Sequence, residues 1–369
     1  MKKILFMIPD LAGGGAEKVL VNLVNNMDRA KFDITVKTLF DVGVNRDKLL
    51  PHIKREYCFK KQFRGNSKFF LLFKPEFLFK KFVKGHYDII VSYLEGPTAR
   101  IVSGCTDKET KLVSWIHVEQ HTKERLSASF RSFSEALKCY NKFDKTICVS
   151  QFVKEDFAGI LNYKKDIEVL YNTNETKQIL ELSNEAVNDY EFGTLRTIIG
   201  IGTLKKSKGF DRLARIHKRL LDDGIRHNVI ILGTGPEEQS LKSLLEELNI
   251  SDTVSLPGYN SNPYKYIKNS DLFVCTSISE GFSTAATEAL IVGTPVCTVE
   301  VSGMKEMLGE NNEYGIVTDN NEDALYSGIK RMLTEDGLLD YYAKQAKIRG
   351  KHFSTEKTVR AVEEMFDKL

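Results

Sequence analysis

Two glutamates, Glu280 and Glu288, stand eight positions apart in the stretch SEGFSTAATEAL and enclose a glycine followed by small and hydroxyl-bearing residues. The stretch follows an apolar strand candidate, so Glu280 falls in a loop, and Ser283 or Thr284 can cap a helix that contains Glu288. The amides at a helix start bind anions such as phosphate. A carboxylate touching that phosphate would repel it, so the role left to both glutamates is to accept hydrogen bonds from hydroxyl groups. The pattern therefore indicates a ligand in which a diphosphate joins a sugar to a nucleotide.

A second loop with suitable chemistry is GIGTLKKSKGFDRL, residues 200–213, which reads as a strand, a turn and a helix. Lys205, Lys206 and Lys208 precede the helix, and cations beside helix amides suit a diphosphate. The loop is not a Walker motif, because the pattern G-x-x-x-x-G-K-[ST] is absent. Lysines are also common on the surface after a strand, so this loop alone does not identify a phosphate site.

A third loop, PDLAGGGAEKVL, carries three glycines between a strand candidate and an amphipathic helix. Glycines at this position let a ligand approach the backbone amides at the helix start. The dinucleotide-binding fingerprint G-x-G-x-x-G is not met, because Lys18 occupies the position of its third glycine. The alternative is a tight turn with a purely structural role.

Apolar runs alternate with amphipathic stretches along the whole chain, which is typical of repeated βα units around parallel sheets. A polar and acidic stretch interrupts this alternation near the middle of the 369 residues. We therefore predict two doubly wound α/β domains at 1–170 and 195–352, a linker at 171–194 and a terminal helix within 353–369 that packs back on the first domain.

Composition and charge limit the possible location and partners of the protein. No apolar run approaches the roughly 18 to 20 residues that a membrane-spanning helix needs, and the six cysteines are scattered, which disfavours zinc and a disulfide scaffold. We expect a cytoplasmic protein. Residues 1–170 carry 30 Lys and Arg against 20 Asp and Glu, whereas the remainder carries 23 against 30. The two halves are thus expected to face different partners.

The basic excess is concentrated in residues 59–85, which contain eight Lys or Arg, one acid and eight Phe. Basic residues interleaved with aromatics suit an anionic membrane surface. A core helix with a solvated lysine face is the alternative. Nucleic acid is not expected as a partner, because the basicity is confined to one Phe-rich segment without a binding motif. The predicted membrane-facing lysines are Lys60, Lys61, Lys80, Lys81 and Lys84.

Taken together, these motifs resemble those of glycosyltransferase family four, a group of retaining nucleotide-sugar transferases. The resemblance spans nearly the whole chain and is most specific in the pair of glutamates. It implies the GT-B fold, in which two Rossmann-like domains face a central cleft. The matching segments are GGGAE, SWIHVEQH, VSQFVKEDF, GTLKKSKGFDRL, LGTGP, VSLPGY, SEGFSTAATEAL and GTPV.

The resemblance assigns roles to individual residues of the second domain. Glu288 would bind the ribose hydroxyls and Glu280 the hydroxyls of the transferred sugar. Lys208 would neutralise the diphosphate. The remaining donor-binding residues are Gly281, the backbone amides of Phe282, Ser283 and Thr284, and a border around the base formed by Gly235, Gly258 and Tyr259.

In the first domain the resemblance places Gly14 and Gly15 on the phosphates and His117 near the reacting centre. The catalytic residues implied are His117, Lys208 and Glu280. One position departs from the family pattern: Thr203 stands where members commonly have an arginine, so Lys205 or Lys206 either replaces that cation or diphosphate binding is weaker. The chain contains no D-x-D triplet, which speaks against a bound metal, and we expect no cofactor.

The function expected from the resemblance is transfer of a hexose or N-acetylhexosamine from a UDP-sugar to a lipid-linked or polysaccharide acceptor in cell-surface glycan synthesis. The expected place is the inner face of the cytoplasmic membrane. One alternative is a nucleotide-sugar epimerase of the same fold, which would form a new epimer from the UDP-sugar alone. Another is a non-catalytic binding partner of a second transferase, which would not hydrolyse the donor.

Overall fold

The computed structural model of the protein describes residues 1–163, 165–279, 282–301 and 303–369. The chain divides into two compact units. The first unit contains Met1–Asn174 and Thr355–Leu369, and the second contains Glu175–Ser354. Each unit is built around a parallel sheet with helices, so the prediction of two doubly wound α/β domains is confirmed.

The first unit is centred on a seven-stranded sheet in which neighbouring strands are parallel. Its strands are β1 (Lys2–Ile8), β2 (Phe32–Phe40), β3 (Lys54–Phe59), β4 (Ile89–Ser92), β5 (Lys111–Ile116), β6 (Lys145–Cys148) and β7 (Ile167–Val169). The spatial order β3-β2-β1-β4-β5-β6-β7 reverses direction between β1 and β4. Ligands of such sheets bind beyond the carboxyl ends of the strands at the reversal.

Helices flank this sheet, and most are short. They are α1 (Gly15–Asn26), α2 (Asn66–Phe69), α3 (Pro75–Phe82), α4 (Pro97–Val102), α5 (Lys123–Leu126), α6 (Phe133–Tyr140) and α7 (Gln151–Leu161). Helix α1 forms because Val19, Leu20, Leu23 and Val24 recur at helical spacing, and all four are buried. The carboxyl end of β1 therefore leads directly into a helix that is anchored in the core.

The second unit is built in the same way around a six-stranded parallel sheet. Its strands are β8 (Thr197–Ile201), β9 (Asn228–Leu232), β10 (Val254–Gly258), β11 (Leu272–Cys275), β12 (Val296–Val299) and β13 (Ile316–Thr318). The spatial order β10-β9-β8-β11-β12-β13 reverses direction between β8 and β11. The loops that follow β8 and β11 are thus the ones that topology selects for a ligand.

The helices of the second unit are α8 (Thr176–Leu182), α9 (Phe210–Asp222), α10 (Glu238–Glu247), α11 (Tyr264–Asn269), α12 (Thr284–Val292), α13 (Met304–Leu308), α14 (Glu322–Thr334) and α15 (Leu338–Gly350). Helix α9 shows why they pack: Phe210, Leu213, Ile216 and Leu220 lie on one face and join the core with strand residues such as Ile198. Helix α12 is different, because all of its residues from Ala286 to Val292 are buried.

Two parts of the chain bear on the predicted boundaries. The stretch 171–194, predicted as a linker, contains α8, in which only Ile179 is buried. A single buried position gives no helical pattern in the sequence, which explains why this helix was not expected.

The last helix, α16 (Thr355–Asp367), belongs to the first unit. There the ring of Phe366 lies 5.9 Å from the ring of Phe6 and 6.2 Å from the ring of Phe32. No helix in the described part of the chain has both the length and the apolar character needed to cross a membrane.

A buried histidine pair sits in the core of the second unit. His217 on α9 and His227 before β9 are each about 1% exposed, and their Nδ1 and Nε2 atoms lie 2.9 Å apart. His227 Nδ1 is 2.9 Å from the carbonyl oxygen of Ile225, which can only accept, so this nitrogen carries the proton. His217 Nδ1 faces His227 Nε2, and His217 Nε2 lies 2.7 Å from Thr253 Oγ1, whose hydroxyl also donates to the carbonyl oxygen of Ile250 at 3.1 Å. Burial of both rings favours their neutral forms.

Burial lowers the pKa of His217 to about 3, and it also lowers the pKa of His227. The unfolded chain therefore binds more protons than the folded one below about pH 6.5, the ordinary pKa of histidine. We predict that stability falls as the pH drops from about 6.5 towards 3, by about 1.4 kcal/mol per pH unit for each proton of difference. Thermal unfolding midpoints measured across this range should fall less steeply for His217→Gln.

His52→Gln is the matched control, since His52 is exposed. This variant should show the same pH slope as the unmodified protein. An equal slope for His217→Gln and the unmodified protein would contradict the assignment of the effect to the buried pair.

Candidate functional site

The loop after β8 is fastened to the loop after β11. Thr276 Oγ1 donates to the carbonyl oxygen of Lys208 at 2.7 Å, and the amide of Ile278 donates to the carbonyl oxygen of Ser207 at 2.8 Å. Gly209 has φ of +65°, and a β-carbon there would lie 2.4 Å from the carbonyl oxygen of Thr276. Only glycine allows the two backbones to approach so closely. The two loops that flank the topological reversal therefore form one surface.

Lys208 lies at the centre of this surface. A β-carbon added at Gly202 would be 3.3 Å from Lys208 Cε, so the lysine stem passes beside the end of β8. Thr203, Lys205 and Lys206 are all exposed in the same loop. The side chain predicted to neutralise a diphosphate is thus held at the strand end. Whether Lys205 or Lys206 supplies the cation expected at Thr203 stays a prediction.

The loops after β9 and β10 join the same strand ends through their backbones. The amide of Leu204 donates to the carbonyl oxygen of Thr234 at 3.0 Å. The amide of Gly233 donates to the carbonyl oxygen of Gly258 at 2.9 Å. A β-carbon at Gly233 would lie 1.9 Å from the carbonyl oxygen of Gly202. Gly233 is therefore as necessary here as Gly235, which the sequence singled out.

Tyr259, predicted to border the base, follows Gly258 and is 70% exposed. An aromatic ring held at the surface beside the strand ends is available to a planar base. Its role in base binding stays a prediction.

Helix α12 is the first helix after the loop that follows β11. Ser283 is its N-cap, and its hydroxyl accepts a hydrogen bond from the amide of Ala286 at 3.3 Å. Thr284 is the first helical residue, and Glu288, 4% exposed, lies just over one turn further in. Phe282 is buried, with its ring 5.8 Å from that of Phe353. The structure thus brings Ser283, Thr284 and Glu288 to one helix start.

Two predicted residues of this helix start, Glu280 and Gly281, lie outside the described residues. Their roles in donor binding, and that of Glu280 in catalysis, stay predictions. The backbone amides in the first turn of any α-helix lack intrahelical acceptors, so the start of α12 retains the anion-binding property that the sequence suggested.

In the first unit, the glycine loop lies at the carboxyl end of β1, beside the topological reversal. Gly14 is the N-cap of α1 and Gly15 its first residue, and both are exposed. A β-carbon at Gly14 would lie 2.2 Å from Glu17 Oε2. Burial, and the nearby charge of Asp10, raise the pKa of Glu17, although its own backbone amide acts in the opposite direction. A phosphate at this helix start would meet a carboxyl group that is easier to protonate than usual.

His117 directly follows β5 and is 5% exposed. Burial lowers its pKa to about 3, so the imidazole is neutral near pH 7. Its ring centroid lies 4.7 Å from that of Tyr93, and its Nε2 atom has no hydrogen-bond partner within the described residues. A buried neutral imidazole with an unpaired nitrogen can exchange a hydrogen bond with a ligand hydroxyl but is a poor acid.

Glu95 is a residue that the sequence reasoning missed. It follows β4 at the topological reversal, and its Oε2 atom accepts a hydrogen bond from the amide of His117 at 3.0 Å. Burial raises its pKa, although hydrogen bonds from His117 and Gln120 and the charge of Arg125 oppose that effect. Its signal in the sequence was an acidic residue placed directly after a buried strand. Glu95 fixes the backbone that carries His117.

His121, four residues after His117, makes defined polar contacts of its own. Its Nε2 atom lies 2.8 Å from Glu119 Oε2, and its amide donates to Asp156 on α7. Its φ of +58° is unusual for a residue with a side chain. Asp156 thus pins the loop that follows His117.

The five predicted membrane-facing lysines are all exposed. Lys60 and Lys61 follow β3, Lys80 and Lys81 lie in α3, and Lys84 follows that helix. Lys84 Nζ donates to the carbonyl oxygen of Lys80. Among the residues that the structure describes, no three or more His, Cys, Asp or Glu side chains are gathered to hold a metal ion.

Comparison with known proteins connects this geometry to a family. The model of glycosyltransferase family 4 matches residues 13–177, and the model of group 1 glycosyl transferases matches residues 184–349. A relative from Campylobacter jejuni is 28% identical over 98% of both chains; it is an N-acetylgalactosamine-N,N'-diacetylbacillosaminyl-diphospho-undecaprenol 4-alpha-N-acetylgalactosaminyltransferase.

Solved structures give the same fold over the whole length. HepE of Anabaena, solved with UDP and glucose, has a TM-score of 0.77 at 18% identity and covers 100% of both chains. TarM of S. aureus, a mutant of which was solved in complex with UDP, has a TM-score of 0.75 at 16% identity and covers 99% of this chain and 100% of its own. The two sheets with their reversed strand orders, the two matching models and these likenesses agree: the chain belongs to the family 4 glycosyltransferases with the GT-B fold.

Proposed function

We propose that the protein is a retaining, metal-independent glycosyltransferase that moves a hexose or N-acetylhexosamine from a UDP-sugar to a lipid-linked or polysaccharide acceptor in cell-surface glycan synthesis. One observation carries the proposal: hydrogen bonds join the loops after β8, β9 and β11 of the second unit into one surface, and α12 is the helix that follows the last of these loops. That surface combines a lysine, a helix start and a buried glutamate, Glu288. These are the groups that a diphosphate and a ribose require.

The choice of UDP is supported by the similarity of this chain to solved structures that contain UDP. HepE and TarM were both solved with UDP, and both match this chain over nearly its whole length. The exposed ring of Tyr259 beside Gly258 suits a planar base. We therefore assign the nucleoside diphosphate to the second unit and propose uridine as its base.

The proposed chemistry needs positive potential where the leaving diphosphate develops charge. Lys208 and the amides at the start of α12 supply it, the latter through the partial positive charge of a helix N-terminus. With these groups in place, transfer proceeds without a bound metal ion in our proposal. Retention of configuration is proposed from the family resemblance, with the departing phosphate assisting attack on the same face of the sugar.

The acceptor is proposed from charge and from one relative. The Campylobacter jejuni relative acts on a diphospho-undecaprenol-linked sugar. The first unit carries the basic excess, and its lysines between Lys60 and Lys84 are exposed. A cationic face suits both a lipid diphosphate and the anionic inner face of the cytoplasmic membrane, where we place the protein.

We predict that UDP and UDP-hexoses raise the thermal unfolding midpoint equally in the presence of EDTA and of Mg²⁺. Binding at a hundredfold excess over Kd stabilises by about 2.7 kcal/mol, which corresponds to a rise of about 5 to 10 °C for a unit of this size. GDP- and ADP-sugars serve as comparisons for the base. Lys208→Gln should reduce the shift, and Lys242→Gln, an exposed lysine of the same unit, should not. A shift that requires Mg²⁺ or Mn²⁺, or the lack of a shift for every UDP compound, would overturn the donor assignment.

We predict different defects for the two glutamates. Glu288→Ala should weaken UDP binding by about ten- to a hundredfold, the cost of losing hydrogen bonds to a charged group. Glu280→Ala should chiefly lower kcat, because contacts to the migrating sugar tighten as its bond breaks. Calorimetric UDP titration and steady-state kinetics separate the two effects.

Two further variants control for misfolding. Glu288→Gln keeps the shape of the buried side chain and one of its two acceptor oxygens, so its binding defect should be smaller than that of Glu288→Ala. Glu310→Ala removes an exposed glutamate of the same unit and should behave as the unmodified protein. A donor KM and UDP affinity that do not change in Glu288→Ala would remove its ribose role.

We predict that the protein floats with anionic vesicles at low salt and is largely released as ionic strength rises. The electrostatic reach shrinks from about 30 Å at 0.01 M salt to about 8 Å at 0.15 M. Changing Lys60, Lys61, Lys80, Lys81 and Lys84 to Gln should lower vesicle binding strongly at low salt without changing UDP binding. The matched control changes five exposed lysines of the second unit: Lys177, Lys242, Lys268, Lys344 and Lys351. Equal vesicle binding by both sets of variants would contradict the assigned face.

A further inference from the structure

One turn of the first unit is held by two arginines in an unusual way. Between α2 and α3, the carbonyl oxygens of Phe70 and Phe73 accept hydrogen bonds from Arg100 at 2.7 and 2.8 Å. The carbonyl oxygens between them, of Leu71 and Leu72, accept hydrogen bonds from Arg131 at 2.7 and 3.0 Å. Four successive carbonyl groups are thus bound by two guanidinium groups. We call residues 70–73 the clamped turn.

The arginines are themselves fixed. The Arg100 side chain is fully buried, and it donates to both carboxylate oxygens of Glu135 at 2.9 and 3.1 Å. The amide of Arg131 donates to the same carboxylate at 2.6 Å. A bidentate arginine pair of this kind is among the strongest side-chain links. The clamped turn is therefore a rigid part of the first unit and not a loose loop.

The clamped turn presents apolar groups to solvent. Leu72 is 71% exposed and Phe77, in the first turn of α3, is 52% exposed. The Phe77 ring stacks on that of Phe73 at 5.0 Å, and Phe73 in turn contacts Phe69 at 5.4 Å. Phe69 belongs to a cluster of rings that reaches into the core through Phe70. The exposed groups are the outer end of a packed aromatic column.

The segment that carries this apolar tip is rich in cations that have no carboxylate partner within the described residues. All eight Lys and Arg side chains of residues 59–85 are exposed, and within the described residues none of them pairs with a carboxylate. The one acid of the segment, Glu76, lies 3.2 Å from Lys142, a cation from outside it. Lys68 and Lys74 flank the clamped turn on either side. The apolar tip suits the acyl chains of an anionic bilayer, and the cations around it suit the anionic headgroups.

We propose that the clamped turn is a membrane wedge: Leu72 and Phe77 insert among the acyl chains of an anionic membrane while the surrounding cations bind headgroups. The proposal rests on the proposed function, which brings the first unit to a membrane-bound acceptor, and it adds a binding component that salt does not remove. Rigidity matters because a preorganised tip loses little conformational freedom on insertion.

Tryptophan fluorescence tests the insertion directly. The only tryptophan, Trp115, is 2% exposed and gives a constant background. Leu72→Trp and Phe77→Trp should be quenched by vesicles of phosphatidylglycerol and phosphatidylcholine with brominated acyl chains. Phe152→Trp is the matched control, because Phe152 is 51% exposed on the same unit. Vesicle binding without quenching at Leu72→Trp and Phe77→Trp would overturn the wedge.

A second experiment measures what the wedge contributes. In vesicle sedimentation at high salt, the double variant Leu72→Ser/Phe77→Ser should partition about ten- to a hundredfold less than the unmodified protein, as expected for one or two inserted apolar side chains. Arg131→Gln, which frees two carbonyl groups of the clamped turn, should lose part of the same component. Leu50→Ser/Phe152→Ser removes two exposed apolar side chains elsewhere on the unit and should partition normally.

The outcomes separate this inference from the proposed function. UDP binding serves as the test of folding and of donor chemistry in every variant and should stay unchanged. If UDP binds but the serine variant partitions like the unmodified protein, the wedge is wrong and the transferase proposal stands. If the serine variant instead dissociates an oligomer in light scattering without any change on vesicles, the tip contacts a second copy of this chain and the wedge is likewise wrong. Absence of UDP binding would overturn the proposed function whatever the vesicles show.

Discussion

The candidate donor site depends on the contact between two backbone segments, at Gly202 and Gly233. Because Gly233 has no side chain, its main chain can approach that of Gly202, whereas the missing side chain of Gly202 leaves room for the Lys208 stem. The hydrogen bonds from Leu204 to Thr234 and from Gly233 to Gly258 then follow, and Lys208 can lie across the strand end. An alanine at Gly233 would collide with main-chain atoms, which cannot rotate away as a side chain can. The surface proposed to bind the diphosphate is therefore shaped by the absence of a side chain at Gly233 as well as by its charge.

In the first unit, burial shifts the pKa values of side chains near the carboxyl ends of the strands. His117 is kept neutral by loss of hydration, and Glu95 and Glu17 have raised pKa values for the same reason. Burial thus disfavours the charged form of these three side chains. Such a surface favours hydrogen bonds with hydroxyl groups over ion pairs. The second unit instead presents a cation and a helix start, so the two units offer different chemistry to their ligands.

Much of the fold followed from the sequence because buried parallel strands are continuous apolar runs, and each is followed by a stretch with helical spacing. The start of α12 was predicted for a similar reason, since Ser283 is a strong N-cap in front of small residues. Helix α8 was missed because only Ile179 is buried in it. Three features were missed because each depends on residues distant in sequence. They are the close approach at Gly233, the hydrogen bond from His117 to Glu95, and the binding of the clamped turn by both Arg100 and Arg131. No local pattern records which carbonyl group a glycine or an arginine will meet.

The chain leaves the first unit at Asn174 and returns to it at Thr355, so the core beneath β1 and β2 is completed by α16. During synthesis the ribosome releases the whole second unit before Phe366 is available to cover Phe6 and Phe32. Until α16 docks, Phe6 and Phe32 of the first unit lack the ring that covers them in the folded protein. The first unit therefore cannot complete its core before the whole second unit has been synthesised, although N-terminal domains usually fold first. Uncovered apolar surface of this kind is what chaperones bind, and here it belongs to the unit that is synthesised first.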